Sequence, residues 1–199
     1  ASEHTAYTSS DLLLKACDTA GFQLNYRDDV FSDYKDQTHY QFTDASHKNT
    51  LEQYGDKAVD AKSLDFSDAF PHDTPTFEYN EDDHLYYRSI YGEPQVDGTT
   101  GTQLAFENVL VQWTYYEVRD DNGYLAFRMH DNTHDGMFIT EGKMIHVTWE
   151  KDSDYGPTKY YDDNGDEIKL NTGKTMVCVL EDDKPFDVDG AAINPSANY

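Results

Sequence analysis

Basic residues are scarce in this sequence of 199 residues: 15 Lys and Arg stand against 39 Asp and Glu, a formal net charge of -24. The imbalance is not confined to a tail, since residues 1–100 carry 20 acids and 7 bases and the remainder 19 and 8. Such a surface repels phosphate backbones and anionic membranes, which excludes nucleic acid as a partner bound through this chain. Cysteine is nearly absent too, with only Cys17 and Cys178. Two thiols cannot make a disulfide framework. Cys17 shares a helix face with Leu13 and Ala20, and Cys178 shares a strand face with Met176 and Leu180, so both are expected as small buried hydrophobes with free thiols. Apart from Lys15, neither has a base or a positive charge beside it, so thiol catalysis is not expected.

Long apolar runs are missing. No stretch approaches the roughly 18 residues of a membrane span, so the chain is not expected to be membrane-spanning. The opening "ASEHTAYTSSD" lacks a basic segment followed by an apolar core and is expected to be a mature or trimmed start. "LLLKAC" has the outline of a lipoprotein cleavage box, but Lys15, two residues before Cys17, favours a helix turn. No Gly-x-Ser-x-Gly elbow, Walker loop or Gly-x-Gly-x-x-Gly occurs. No cofactor is therefore expected, and no enzyme class is specified.

What the sequence does have is aromatic bulk, 16 Tyr and 10 Phe, enough for a packed core. "TSSDLLLKACDTA" predicts a helix, capped by Ser9 or Ser10, with Asp11 in its first turn and Gly21 ending it. "FQLNY" and "THYQFTD" read as short strands, "SHKNTLEQY" as a second short helix, and "AVDAKSLDF" as one half-buried strand. After the Pro-containing "SDAFPHDTP", strand follows strand, joined by Gly and Asn turns, the pattern of an antiparallel meander. The expected fold class is α+β and mainly antiparallel: an N-terminal α/β part over residues 1–75 and a C-terminal β domain over 76–199.

"DDNG" occurs at 120–123 and again at 162–165 and has the look of a calcium loop. An EF-hand needs oxygen ligands at its first, third and fifth positions and Glu at its twelfth. Aligned on Gly165 those outer positions are Tyr160 and Asn171; aligned on Gly123 the first is Val118. Both segments read instead as hairpin turns.

Three groups of residues raise chemistry. "HDNTHDG" sets His130 and His134 with Asp131 and Asp135, a weak candidate metal site. The i, i+4 spacing serves a metal only on a helix, and a solvated hairpin loop is the preferred reading. His72 beside Asp73 in "FPHDTP" suggests a dyad, but sequence neighbours between prolines do not face one another. Arg88, one of four arginines, stands among tyrosines and is followed by Asp97. If the "YYR" strand lies beside "NVLVQ", Arg88, Asp97, Asn108 and Gln112 converge as a ligand- or peptide-anchoring patch. The alternative, a closed internal network that only fixes a loop, is the preferred one of the two.

Three stretches in this order, "YYRSIYGEPQVDGTTGTQLAFENVLVQ", "EGKMIHVTWEK" and "YYDDNGDEIKLNTGKTMVCVLE", resemble the C-terminal domain of the YerB family of bacterial lipoproteins, whose function is unknown. The shared pattern is Tyr86-x-Arg88 with Gly92, Pro94 and Asp97, then Asn108-Val109-x-Val111-Gln112. Gly142-Lys143-x-Ile145 with Trp149 follows, then Asn164-Gly165, Ile168, Leu170, Gly173 and Thr175. The resemblance covers roughly residues 77 to 181, about half the chain. It departs where a Gly-rich segment is replaced by "HDNTHDG", and where a Trp of the last strand is Met176. Residues 1–75 resemble the latter part of the family's N-terminal domain, which implies a trimmed fragment. Membership implies a lipid-anchored protein outside the cytoplasmic membrane of a bacterium. It supplies no activity. The functional expectation is a non-catalytic binding or scaffolding module for a protein or cell-envelope ligand. The competing class is a hydrolase of envelope material, which requires a cleft where His and carboxylate side chains converge.

Overall fold

The structure, a computed structural model, describes residues 8–24, 32–34 and 36–195, and at 131–133 the backbone alone. The chain divides into two compact units, Ala1–Gln37 and Thr38–Tyr199. In the first, α1 (Ser10–Ala20) begins where Ser9 Oγ accepts from the Leu12 N–H at 3.3 Å and ends at Gly21, left-handed at φ 70°. Both caps are those the sequence predicts. Cys17 is only half-buried. Residues 22–24 form no strand, and the rest of the expected "FQLNY" strand falls outside the described residues.

The second unit is built of strands. In order they are β1 (Gln41–Phe42), β2 (Val59–Asp60), β3 (Ser63–Asp65), β4 (Thr76–Asn80), β5 (Leu85–Ile90), β6 (Glu93–Pro94), β7 (Ala105–Phe106), β8 (Asn108–Thr114) and β9 (Tyr116–Val118). There follow β10 (Leu125–Phe127), β11 (Asp131–Thr140), β12 (Lys143–Lys151), β13 (Lys159–Tyr161), β14 (Lys169–Leu170), β15 (Thr175–Glu181), β16 (Phe186–Val188) and β17 (Ala191–Ile193). One sheet runs β13-β12-β11-β8-β15, with β2 on β12; another runs β17-β16-β3-β4-β5-β6, with β7 on β5. Every pairing within these two sheets is antiparallel except β8 with β15. The fold class is α+β and mainly antiparallel.

The facing sides of the sheets share one core. Val109, Val111 and Trp113 of β8, Met137 and Ile139 of β11, and Cys178 and Leu180 of β15 meet Leu64, Phe66, Phe77, Tyr86 and Phe186 of the other sheet. Phe66 and Phe186 stack 4.7 Å apart. The outer face of the first sheet carries a second core, in which Leu110, Phe138, Val147 and Trp149 pack with Leu51, Tyr160, Ile168 and Leu170. All seven residues of β8 are thus buried. A strand covered on both faces is mostly apolar, and the polar side chains it does carry, Asn108 and Gln112, are buried and hydrogen-bonded.

Several sequence expectations are corrected. "AVDAKSLDF" is two strands in different sheets, β2 against β12 and β3 against β4, with buried Ala61 at the crossing. The second helix is reduced to two short 3-10 turns within Glu52–Lys57, broken at Gly55, which takes φ 56° and ψ -128°. Leu51 takes φ 62°, which ends helical continuity and turns its side chain into the second core. β15 does not continue the meander: after β14, which pairs with β1 outside this sheet, the chain returns to the edge opposite β13 and lies parallel to β8. "HDNTHDG" is not a loop, since it forms the first part of β11, with an irregular register between Asp131 and His134. Both "DDNG" segments are turns, closed by Gly123 N–H to Asp120 O at 3.0 Å and Gly165 N–H to Asp162 O at 2.9 Å.

Candidate functional site

The structure separates the four polar residues singled out in the sequence. β5 does not lie beside β8: the segment after Tyr91 folds back on β5 through β6 and β7, which occupy that edge. Arg88 faces the inter-sheet core, its guanidinium 5.9 Å from the Phe77 ring centroid. Asn108 and Gln112 point to the opposite face of β8, where Gln112 Oε1 accepts from the Tyr160 hydroxyl at 2.8 Å. Asn108 donates to Asn171 O at 2.8 Å and to Thr175 Oγ1 at 3.0 Å, and accepts from the Asn171 N–H. The first sheet therefore stands between Arg88 and this pair. Asp97 is not Arg88's partner either. Its carboxylate accepts from the Thr100 and Thr99 N–H groups at 2.7 and 2.9 Å, which hold its pKa below the usual carboxylate value and fix the loop.

The histidines of "HDNTHDG" diverge. His130 Nδ1 meets Asp154 Oδ1 at 2.6 Å, whereas the His134 ring stacks on Trp149, its cross-strand neighbour, at 5.3 Å. Among the described residues no three His, Cys, Asp or Glu side chains gather as a metal would require.

A different cluster does assemble, around a histidine that no sequence motif marks. His146 lies on β12 opposite Met137 of β11, on the inter-sheet side. Its Nδ1 meets Asp163 Oδ1 at 2.7 Å and its Nε2 meets Asp135 Oδ1 at 3.3 Å. Lys57, from the 3-10 segment, reaches Asp163 Oδ2 at 3.1 Å. Burial raises the Asp163 pKa, but hydrogen bonds and charge from His146 and Lys57 outweigh it and leave the carboxyl below its ordinary value. The cluster borders a cavity of about 220 Å³ whose apolar lining includes Val59, Met137, Met144 and Ile145. Tyr54 also lines it, its hydroxyl pushed up to about 12 by burial and by Asp162. Asp163 is the second acid of the turn "DDNG": the turn is a turn, and it also delivers a carboxylate. The available signal was His146 at a position where the apolar pattern of "MIHVTW" calls for an inward side chain.

A second concavity, of about 330 Å³, lies between β15 and the segment leading into β4, and Arg88 lines it. Cys178 lies on the β15 wall, its thiol pushed up to about 12 by burial, partly countered by the Arg88 charge.

Over residues 63–177 the sequence matches the C-terminal domain of DUF3048, proteins of unknown function. The chain belongs to this family. The DUF3048 match contains Arg88, Asp97, Asn108, Gln112, His146 and Asp163, while Tyr54 and Lys57 precede it. The fold is similar to that of the YerB protein from Bacillus subtilis, seen in its crystal structure, with a TM-score of 0.63 at 18% identity over 90% of this chain. The chain spans about half, 53%, of that protein's length. No curated protein matches it. The YerB-like character expected from the motifs is shown by both matches.

Proposed function

We propose that this DUF3048 domain is a non-catalytic binding module, carried outside the cytoplasmic membrane by a lipid-anchored bacterial protein. The observation that carries the binding role is the cavity beside His146, where an apolar interior meets an acidic rim of Asp56, Asp162 and Asp163. The one lysine there, Lys57, is already held by Asp163. An occupant with an apolar body and a cationic head, such as a partner's Lys side chain, complements that lining. The surplus of acids over the whole chain draws cations to it. The placement outside the membrane rests on the YerB-like motifs. No helix among the described residues is long and apolar enough to cross a membrane.

The test is an NMR titration with n-butylammonium and with 1-butanol as the neutral control. The cation is expected to shift the amides of Tyr54, Val59 and His146 and the alcohol to shift them less. Val59→Trp, at a residue 47% exposed, is expected to block the response. Equal shifts with both probes, or shifts elsewhere, would overturn the assignment. A hydrolase of envelope material is the second reading, favoured by one observation: His146 and two carboxylates converge within hydrogen-bond reach beside a cavity. Against it, both ring nitrogens are already engaged by carboxylates, so neither is open toward a substrate water. Release of fragments from cell-wall material, abolished by His146→Gln, would establish that reading instead.

A further inference from the structure

The concavity at β15 touches Met176, Cys178 and Val179 in the same strand, together with the intervening Val177. Successive side chains of a strand point to opposite faces, so a concavity that meets four residues in a row runs along the edge of the strand. That edge is open: β15 ends its sheet, with β8 on its inner side. Among the described residues, only Glu181 at its very end takes a backbone hydrogen bond from outside the sheet, from Lys184. An open edge with an apolar wall is the surface that accepts an added strand.

The opposite wall carries Phe70, Phe77 and Arg88. Arg88 Nε is buried and has no hydrogen-bond acceptor. Among the described residues no carboxylate lies within ion-pair distance of its guanidinium. The nearby Asp73 carboxylate accepts instead from the Tyr91 hydroxyl at 2.9 Å. A buried guanidinium donor without a partner is costly to leave so, and the natural complement is a carboxylate placed by a ligand. With a chain charge of -24, a polyacidic partner is repelled, so the fit is to one carboxylate on an otherwise apolar segment.

We infer that the groove along β15 binds an extended segment of a partner protein, added as a strand to the sheet edge, with apolar side chains against Phe70 and Phe77 and one carboxylate on Arg88. This site is separate from the cavity beside His146 and does not depend on it.

Three fluorescent hexapeptides of alternating Val and Thr serve as probes: one with a free C-terminal carboxylate, one amidated, and one with the free acid but alternate backbone amides N-methylated. Fluorescence polarisation is expected to show the free acid binding at least tenfold more tightly than either of the others. Arg88→Gln is expected to bring the acid down to the level of the amide without lowering the melting temperature, and Arg88→Lys to retain part of the preference. Failure of the acid to bind, equal binding of acid and amide, or tolerance of N-methylation would overturn the proposal. So would a dimer of the free chain in sedimentation that Arg88→Gln dissociates, because the edge would then belong to a second copy. If Arg88→Gln unfolds, Phe70→Ala replaces it and must weaken the acid and the amide alike, or the groove is not the site.

Discussion

Single side chains decide whether the two cores stay in register. Asn171 is buried and fully engaged: its amide donates to Asn49 O at 3.0 Å and to Thr140 Oγ1 at 2.9 Å, and its oxygen accepts from the Asn49 N–H at 2.7 Å. Through Asn108 it also ties β8 to the segment after β14. Removing one member strands buried partners, each at about 1–3 kcal/mol. Asn171→Ala is expected to lower unfolding free energy by roughly 2–4 kcal/mol, read from urea midpoints. Asp163 gives a pH-dependent counterpart. Its folded pKa is depressed by His146 and Lys57 against the raising effect of burial. Its contribution is therefore present above its unfolded value, about 4, and lost as pH falls through the lowered folded value. The stability gap between the wild type and Asp163→Asn should be open near neutrality and close in acid. A gap that stays unchanged as the pH is lowered from neutrality through the acid-unfolding range would show that the pairing contributes nothing.

At the scale of elements, the β11–β12 hairpin depends on one glycine more than its turn type requires. Gly142 has φ 72°, and a Cβ there would stand 2.8 Å from the Tyr79 ring of the facing sheet. Gly123, in the turn between β9 and β10, has φ 83° and nothing within 4 Å. A left-handed non-glycine residue costs about 1–2 kcal/mol at either position. Gly142→Ala adds a clash with a packed ring, so it is expected to cost about twice as much as Gly123→Ala in the same denaturation assay. Equal costs would mean that Tyr79 moves aside freely. The same close approach brings Tyr79 of β4 against the hairpin, where Glu141 receives His84 at 2.8 Å and Lys48 at 2.9 Å.

For the whole molecule, a charge of -24 on 199 residues sets up self-repulsion that salt screens over about 10 Å at 0.1 M. Raising sodium chloride from about 0.02 to about 0.5 M is expected to increase the melting temperature by several degrees. No change would mean that local pairs such as Lys159–Glu167 already balance the field. Much of this architecture was legible along the chain. Helix caps at Ser9 and Gly21, the two "DDNG" turns, the antiparallel character and the YerB-like motifs all depend on residues a few positions apart, and local conformational preference settles them. What the tertiary structure alone decided are relations between distant segments. It split "AVDAKSLDF" between two sheets, ran β15 parallel to β8, and turned "HDNTHDG" into a strand, pairings that local turn signals do not set. It put Arg88 and Asn108 on opposite sides of that sheet, since β6 and β7 took the edge that β8 was expected to fill. It brought Lys57, Asp135, His146 and Asp163 together from four separate segments. A side chain's identity and spacing fix which face of its own strand it occupies, but its partners depend on which strands pack against that face, a matter of burial summed over the whole chain.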